Sequence, residues 1–233
     1  MSRGKGFAAE ASPGSLYAGR ATVTESNYHH GDLKQALVRA AREILRGEGA
    51  DALSLRAIAA AVGVSHMAPY AHFKNKKELL QAVAASGFDE LTERMLKAKS
   101  RTTRDRDLAL NYGIEYMGFA MENPEFYRIM LSQVDPAGRR KRPADGGKEA
   151  AAKKGVEKKT TSEELRVSAG RPFKLLHGAF MKRGKDKKIA LARALGAWSI
   201  VHGMAALLID GHIVVPEGME MTDLFKAAVG RMR

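Results

Sequence analysis

The sequence predicts an all-α chain, with a three-helix unit near its N-terminus and a larger helical bundle after it. Three observations carry that expectation. Apolar residues recur at three- and four-residue spacing from Asp32 onward. Two short helical runs meet at a turn of about three residues around Gly63. The stretch 187–210 is apolar nearly all round, as in a helix buried on two sides.

Each element can be justified in order. Leu33, Leu37, Ala40, Ala41, Ile44 and Leu45 form the apolar stripe of a first helix, which Gly47 and Gly49 stop. Ser54 is placed to cap a short second helix carrying Leu55, Ile58, Ala59 and Val62, and Gly63 permits a left-handed turn after it. Ser65 is expected to cap a third helix. That helix must be brief, because Pro69 is comfortable only in a first turn. Two short helices joined in this way form a helix-turn-helix, whose second helix enters a DNA major groove.

Asn75 with Glu78 reads as a capping box for a long helix through Leu79, Leu80, Val83, Phe88, Leu91 and Met95. Beyond Asp107 a further helix carries Leu108, Tyr112, Tyr116 and Phe119, and Asn123-Pro124 separates it from a short one with Phe126, Ile129 and Met130. Residues 134–162 hold few large apolar residues and many like charges, the composition of a solvated mobile loop, and helical spacing resumes near Leu165. The apolar segment 187–210 and a final helix with Leu224, Phe225, Ala228 and Val229 are expected to pair. Gly196, Gly203, Ala205 and Ala206 would admit a close neighbour, so a homodimer through about 187–212 and 221–232 is predicted.

At 233 residues and 45% hydrophobic content the chain can bury a core. Residues 1–27, rich in Gly, Ser and Ala, read as a disordered tail, with a DNA-binding unit over 28–83 and a ligand-binding and dimerisation unit over 84–233. The N-terminus has no signal-peptide core, and no run reaches the roughly 20 apolar residues that span a bilayer. With zero cysteines a disulfide framework is excluded, and a cytoplasmic location with no membrane contact is expected.

The net charge of +13 invites a nucleic-acid reading, but its location decides its meaning. Residues 28–83 carry 8 Lys/Arg against 5 Asp/Glu, a net of +3, whereas residues 134–188 carry 17 against 7, a net of +10. The case for the N-terminal unit therefore rests on pattern and not on charge.

That pattern has a known likeness. Leu55-Arg56-Ala57-Ile58-Ala59, then Val62-Gly63-Val64-Ser65, Tyr70, Phe73, Lys76, Glu78 and Leu79 resemble the signature of the TetR family of repressors. Tyr28-His29-His30-Gly31-Asp32-Leu33 and Trp198-Ser199-Ile200-Val201-His202-Gly203 resemble a TetR subgroup named for a Trp-His-Gly element in its C-terminal domain. The basic loop is longer than expected for that subgroup. The resemblance implies a ligand-responsive repressor: a homodimer on palindromic double-stranded DNA, released by a small hydrophobic or amphipathic ligand.

Candidate residues follow. Ser65, His66 and Met67 would begin the recognition helix, with His66 reading base edges and Ser65 touching phosphate as well as capping. By resemblance Tyr70 donates its hydroxyl to a phosphate, and Lys76 adds a charge-assisted contact at a helix N-terminus. Ser54 and Arg56 would contact phosphate from the second helix, unless Arg56 lies on a solvated face; His72 and Lys74 are open between the same two roles. Phe73 is expected to pack in the core.

Tyr112, Tyr116 and Phe119 share a helical face, and with Phe126, Met130, Trp198 and His202 they are the candidate ligand-pocket residues; each is alternatively ordinary core. His202 reads as a hydrogen-bonded core histidine. No metal site, cofactor or catalytic constellation is expected, because the histidine spacings do not converge and no phosphate loop or nucleophile elbow is present. An architectural DNA-binding protein without an inducer, using the run Arg139-Arg140-Lys141-Arg142, is the competing reading, and an enzyme on a borrowed helical scaffold a third.

Overall fold

The long helix α3 (Lys76–Arg101) is the spine against which the other elements are placed, packing on α1 (His30–Glu48), α4 (Leu108–Glu122), α5 (Pro124–Gln133) and, most extensively, α6 (Thr161–Met181). The chain is completed by α2 (Leu55–Val62), α7 (Lys187–Ile209) and α8 (Met221–Gly230), with single 3-10 turns at Ala68–Ala71 and Asp105–Asp107. This computed structural model describes residues 30–134, 160–184 and 186–230, and among them all regular structure is helical. The predicted tail 1–27 and residues 135–159 of the predicted basic loop lie outside the described residues.

Local chemistry explains most boundaries. Ser54 Oγ accepts from the Ala57 N–H at 3.1 Å, and Gly63, at φ +77°, closes α2 with its N–H on the carbonyls of Ala59 and Ala60. Asn75 Oδ1 accepts from the Glu78 N–H at 3.0 Å, but the Glu78 carboxylate accepts from Lys74 N–H at 2.9 Å instead of completing the box on Asn75. The expected Ser65 cap does not form. The Ser65 carbonyl receives the Ala68 N–H at 3.0 Å, and residues 66–67 are a turn leading into the 3-10 turn with no side-chain cap. Buried Pro69 has no N–H to give the Ser65 carbonyl, the bond a helix capped at Ser65 would need, and it is accommodated in the first turn of the later element.

α6 begins earlier than apolar spacing suggests. Thr160 and Glu163 form a reciprocal capping box there, a polar signal in a stretch otherwise read as loop. Pro172 sits buried inside α6 and removes the N–H that would reach the Ser168 carbonyl.

One hydrophobic core runs through the molecule, from Leu37, Leu45, Ile58 and Phe73 through Leu79 and Leu91 to Met117, Val201 and Phe225. α3 is continuous across residue 83, so the N-terminal unit has no flexible linker at that point. Gly87 on α3 lets α5 approach: an added Cβ would collide with Met130 Sδ and meet Phe126 Cζ at 2.8 Å.

α7 departs from expectation in two respects. Only one stripe, Ala190, Ala194, Val201, Ala205 and Leu208, is buried against α4 and α6, while Leu191, Leu195 and Leu207 are exposed in the single chain. By length and composition α7 is also apolar enough to cross a membrane, contrary to the sequence expectation; its many alanines satisfy that test without making a run of large apolar residues.

Candidate nucleic-acid interface and internal cavity

The N-terminal unit exposes a coherent polar face. α1 and α2 bury Leu37, Ile44, Leu45, Leu55 and Ile58 against Phe73 and Leu79, which leaves Ser54, Arg56, Ser65, His66, Met67, Tyr70, Lys74 and Lys76 exposed, with Met67 at 60% and Tyr70 at 47%. Ser54 uses its oxygen as the α2 cap, so its hydroxyl proton is free to donate. Lys74 Nζ stands 4.0 Å from Glu78, a pair that solvent screening makes weak. His72 is half-buried beside Phe73, their rings 6.5 Å apart. Phe73 is fully buried, consistent with core packing. Lys77, exposed beside Lys76 at the start of α3, joins the same face and was not singled out from the sequence.

A cavity of about 520 Å³ lies among α3, α4, α6, α7 and α8. Tyr112, Tyr116 and Trp198 line it, together with Leu110, Leu176, Phe180, Val201 and Phe225. Three arginines, Arg106, Arg183 and Arg193, also reach it, against one aspartate, Asp107. The arginines escaped sequence reasoning because they come from three separate elements, and nothing local marks them as neighbours. Phe225 approaches α4 through Gly113, where an added Cβ would meet its ring at 2.5 Å.

His202 does not line the cavity but orders one of its walls. Its Nδ1 stands 3.1 Å from the Trp198 carbonyl and its Nε2 2.9 Å from the Tyr116 hydroxyl, which is 3.0 Å from the Tyr127 hydroxyl. A carbonyl only accepts, so Nδ1 carries the proton; burial pushes the imidazole pKa down, leaving Nε2 as acceptor for Tyr116. Tyr127 then donates to Tyr116. Burial, reinforced by Tyr127, drives the Tyr116 phenol far above its ordinary range, and burial also raises Tyr112 and Tyr127, so all three remain neutral donors. Trp198 and His202 pack at 4.4 Å between ring centroids, and Tyr116 and Trp198 meet edge-to-face at 5.4 Å.

Phe119, Phe126 and Met130 are placed elsewhere, at the junction of α3, α4 and α5. Phe119 and Phe126 pack at 6.2 Å, with the Arg94 guanidinium over the first ring at 5.3 Å and that of Arg42 over the second at 4.8 Å. The two arginines bracket Glu90: Arg42 pairs with it from α1, Arg94 holds it at 3.2 Å, and Arg94 also reaches Glu122 on α4 at 2.8 Å. Burial alone would raise the Glu90 carboxyl, but these two guanidiniums outweigh it and hold it below the usual range. Lys34 to Glu164 at 2.9 Å and Arg46 to Asn123 at 3.3 Å add further ties between α1 and the bundle. The aromatic residues shared by α4 and α5 thus belong to the joint between the units.

Comparison with known proteins follows the same division. Residues 37–83 match the model of the bacterial regulatory proteins of the tetR family, and residues 110–232, over half the chain, match that of the tetracyclin repressor-like C-terminal domain. The chain belongs to the TetR family. A curated relative, the uncharacterised HTH-type transcriptional regulator YobS of Bacillus subtilis (strain 168), is 32% identical over 102 residues, 43% of this chain. The match spans 52% of that relative, about half its length. Among solved structures, a protein of unknown function from Rhodococcus sp. RHA1 superposes with a TM-score of 0.65 at 26% identity, covering 89% of this chain and 96% of that one. The TetR family transcriptional regulator PfmR of Thermus thermophilus shares the fold, with a TM-score of 0.50 at 17% identity, 82% of this chain and 93% of its own.

Proposed function

We propose that this TetR-family chain is a cytoplasmic DNA-binding transcriptional repressor, released from a palindromic operator by a small amphipathic ligand. The observation that carries the reading is the direct connection of an exposed helix-turn-helix to an aromatic-lined cavity by one unbroken helix, α3. Residues 28–83 then form the DNA-binding unit and residues 84–233 the sensing and dimerising unit. Membership of the Trp-His-Gly subgroup is supported by Trp198, His202 and Gly203, and in this chain the histidine ties the tryptophan backbone to the cavity tyrosine.

Dimerisation uses α7 and α8. The exposed residues Ala192, Gly196, Ser199 and Gly203 make a small-residue seam on α7, flanked by exposed Leu195 and Leu207, and an added Cβ at Gly196 or Gly203 would meet nothing within 4 Å in the single chain. A second copy is the occupant that would bury this face in water; it also accounts for the apolar composition of α7 without a membrane. In the dimer the Ser65–Tyr70 turns enter successive major grooves. Tyr70, Lys76, Ser54 and Arg56 hold phosphates, with Lys74 and His72 beside them, while His66 reads base edges and Ser65 and Met67 flank it.

Tyr112, Tyr116 and Trp198 contact the ligand, and His202 positions Tyr116. Movement of α4 around a bound ligand would reach α1 through Glu122, Arg94, Glu90 and Arg42, changing the separation of the two recognition turns. Selection of bound fragments from genomic DNA tests the reading. A shared inverted repeat is expected; binding with little sequence preference would replace it with an architectural role.

A further inference from the structure

The polar groups of the cavity point to the chemistry of its ligand, and this inference rests on the cavity being the effector site. We propose that it takes an organic anion, a carboxylate on an apolar body, with the carboxylate held at Arg183 and Arg193. Asp107 is already held by Arg104 at 2.6 Å and lies 3.8 Å from Arg106. Arg183 and Arg193 form no ion pair among the described residues, and the Arg183 guanidinium lies 5.7 Å from the centroid of the Phe180 ring. Two exposed cations at the cavity therefore have no paired carboxylate among the described residues.

A second observation is independent of charge. Tyr112 is 2% exposed and lines the cavity, yet its hydroxyl has no hydrogen-bond partner among the described residues, whereas Tyr116 and Tyr127 satisfy each other. That hydroxyl opens on the cavity, where an acceptor oxygen on the ligand could take its proton in a hydrogen bond. Leu110, Leu176, Trp198 and Phe225 give the apolar body its walls. A carboxylate can meet these exposed guanidiniums with paired, charge-assisted hydrogen bonds, whereas a neutral ligand leaves them to solvent and a cation is repelled.

Trp198 is the chain's one tryptophan and lines the cavity, so its fluorescence reports occupancy directly. The full chain is titrated with phenylhexanoate, phenylhexanol and phenylhexylammonium, which share a body and differ in the charge of the head. The acid is expected to bind about tenfold more tightly than the alcohol, and the ammonium most weakly. The double variant Arg183→Gln, Arg193→Gln should lose that preference while keeping the alcohol's affinity. Alcohol or ammonium binding as tightly as the acid overturns the anion assignment and leaves the cavity reading standing. No change in Trp198 with any probe overturns both.

Discussion

The two ends of this molecule expose opposite kinds of surface. Around the helix-turn-helix the exposed residues are mostly Ser, His, Tyr, Arg and Lys over a buried apolar floor, with Met67 the one large aliphatic side chain among them, whereas along α7 they include Leu191, Leu195 and Leu207. A polar face over a finished core needs no protein partner, and can offer hydrogen bonds to phosphates and bases. An apolar face on a helix already packed on its other side is unfinished in the single chain. The proposed division between a nucleic-acid face and a dimer seam rests on this contrast.

Breaking the apolar side should have the largest effect. Leu195→Glu places a charge on the proposed seam, and sedimentation should show a monomer whose operator affinity falls about a hundredfold or more, since one half-site alone must hold it. A variant that remains dimeric would move the interface away from α7. Next is the floor of the polar side: Phe73→Ala should lower the unfolding free energy by about 3–5 kcal/mol in denaturant titration, while Ser54→Ala should cost about 1 kcal/mol through its lost cap.

Substitutions on the polar surface itself sharpen the division of labour. Tyr70→Phe and Lys76→Ala should weaken binding to operator and random DNA alike, Lys76→Ala also reducing the salt slope by about one. His66→Ala should relax preference at one or two base positions, an effect of about 1–3 kcal/mol per position in a selection against variant operators. Equal effects of all three on specificity would contradict these roles.

The smallest effect is one of pH. Burial depresses the His202 pKa in the folded chain below the ordinary value of about 6.5, so the unfolded chain takes up a proton that the folded one resists. The stabilising contribution is complete above the unfolded pKa and is lost as pH falls through it toward the folded value. His202→Gln should flatten the decline in unfolding free energy between about pH 8 and pH 5. An unchanged slope would place the acid sensitivity in another group.

Much of the N-terminal unit was legible because its signals are short-range. A serine three residues before the N–H it accepts from, and a glycine whose missing Cβ admits positive φ, act over one turn of chain, and Ser54 and Gly63 do so here. The exception is instructive: Ser65 has the residue type of a cap but stands before a turn, because Pro69 has no N–H to close the first helical bond onto the Ser65 carbonyl, which takes the Ala68 N–H instead. The cavity was legible only as a face of α4. Tyr112, Tyr116 and Phe119 share helical spacing, but spacing does not say what lies opposite, and Phe119 meets Phe126 under two arginines while Tyr112 faces the void.

By itself the sequence determined the all-helical architecture, the order of its helices and most of the exposed helix-turn-helix face, Lys77 and the half-buried His72 excepted, since periodicity, caps and breakers act between near neighbours. Only the tertiary structure decided which aromatics surround the cavity, that Arg106, Arg183 and Arg193 meet there, and that α7 leaves one stripe uncovered. Those facts depend on how five helices pack across long sequence separations, where each pairing is set by the shape and volume of the whole core and not by any one segment.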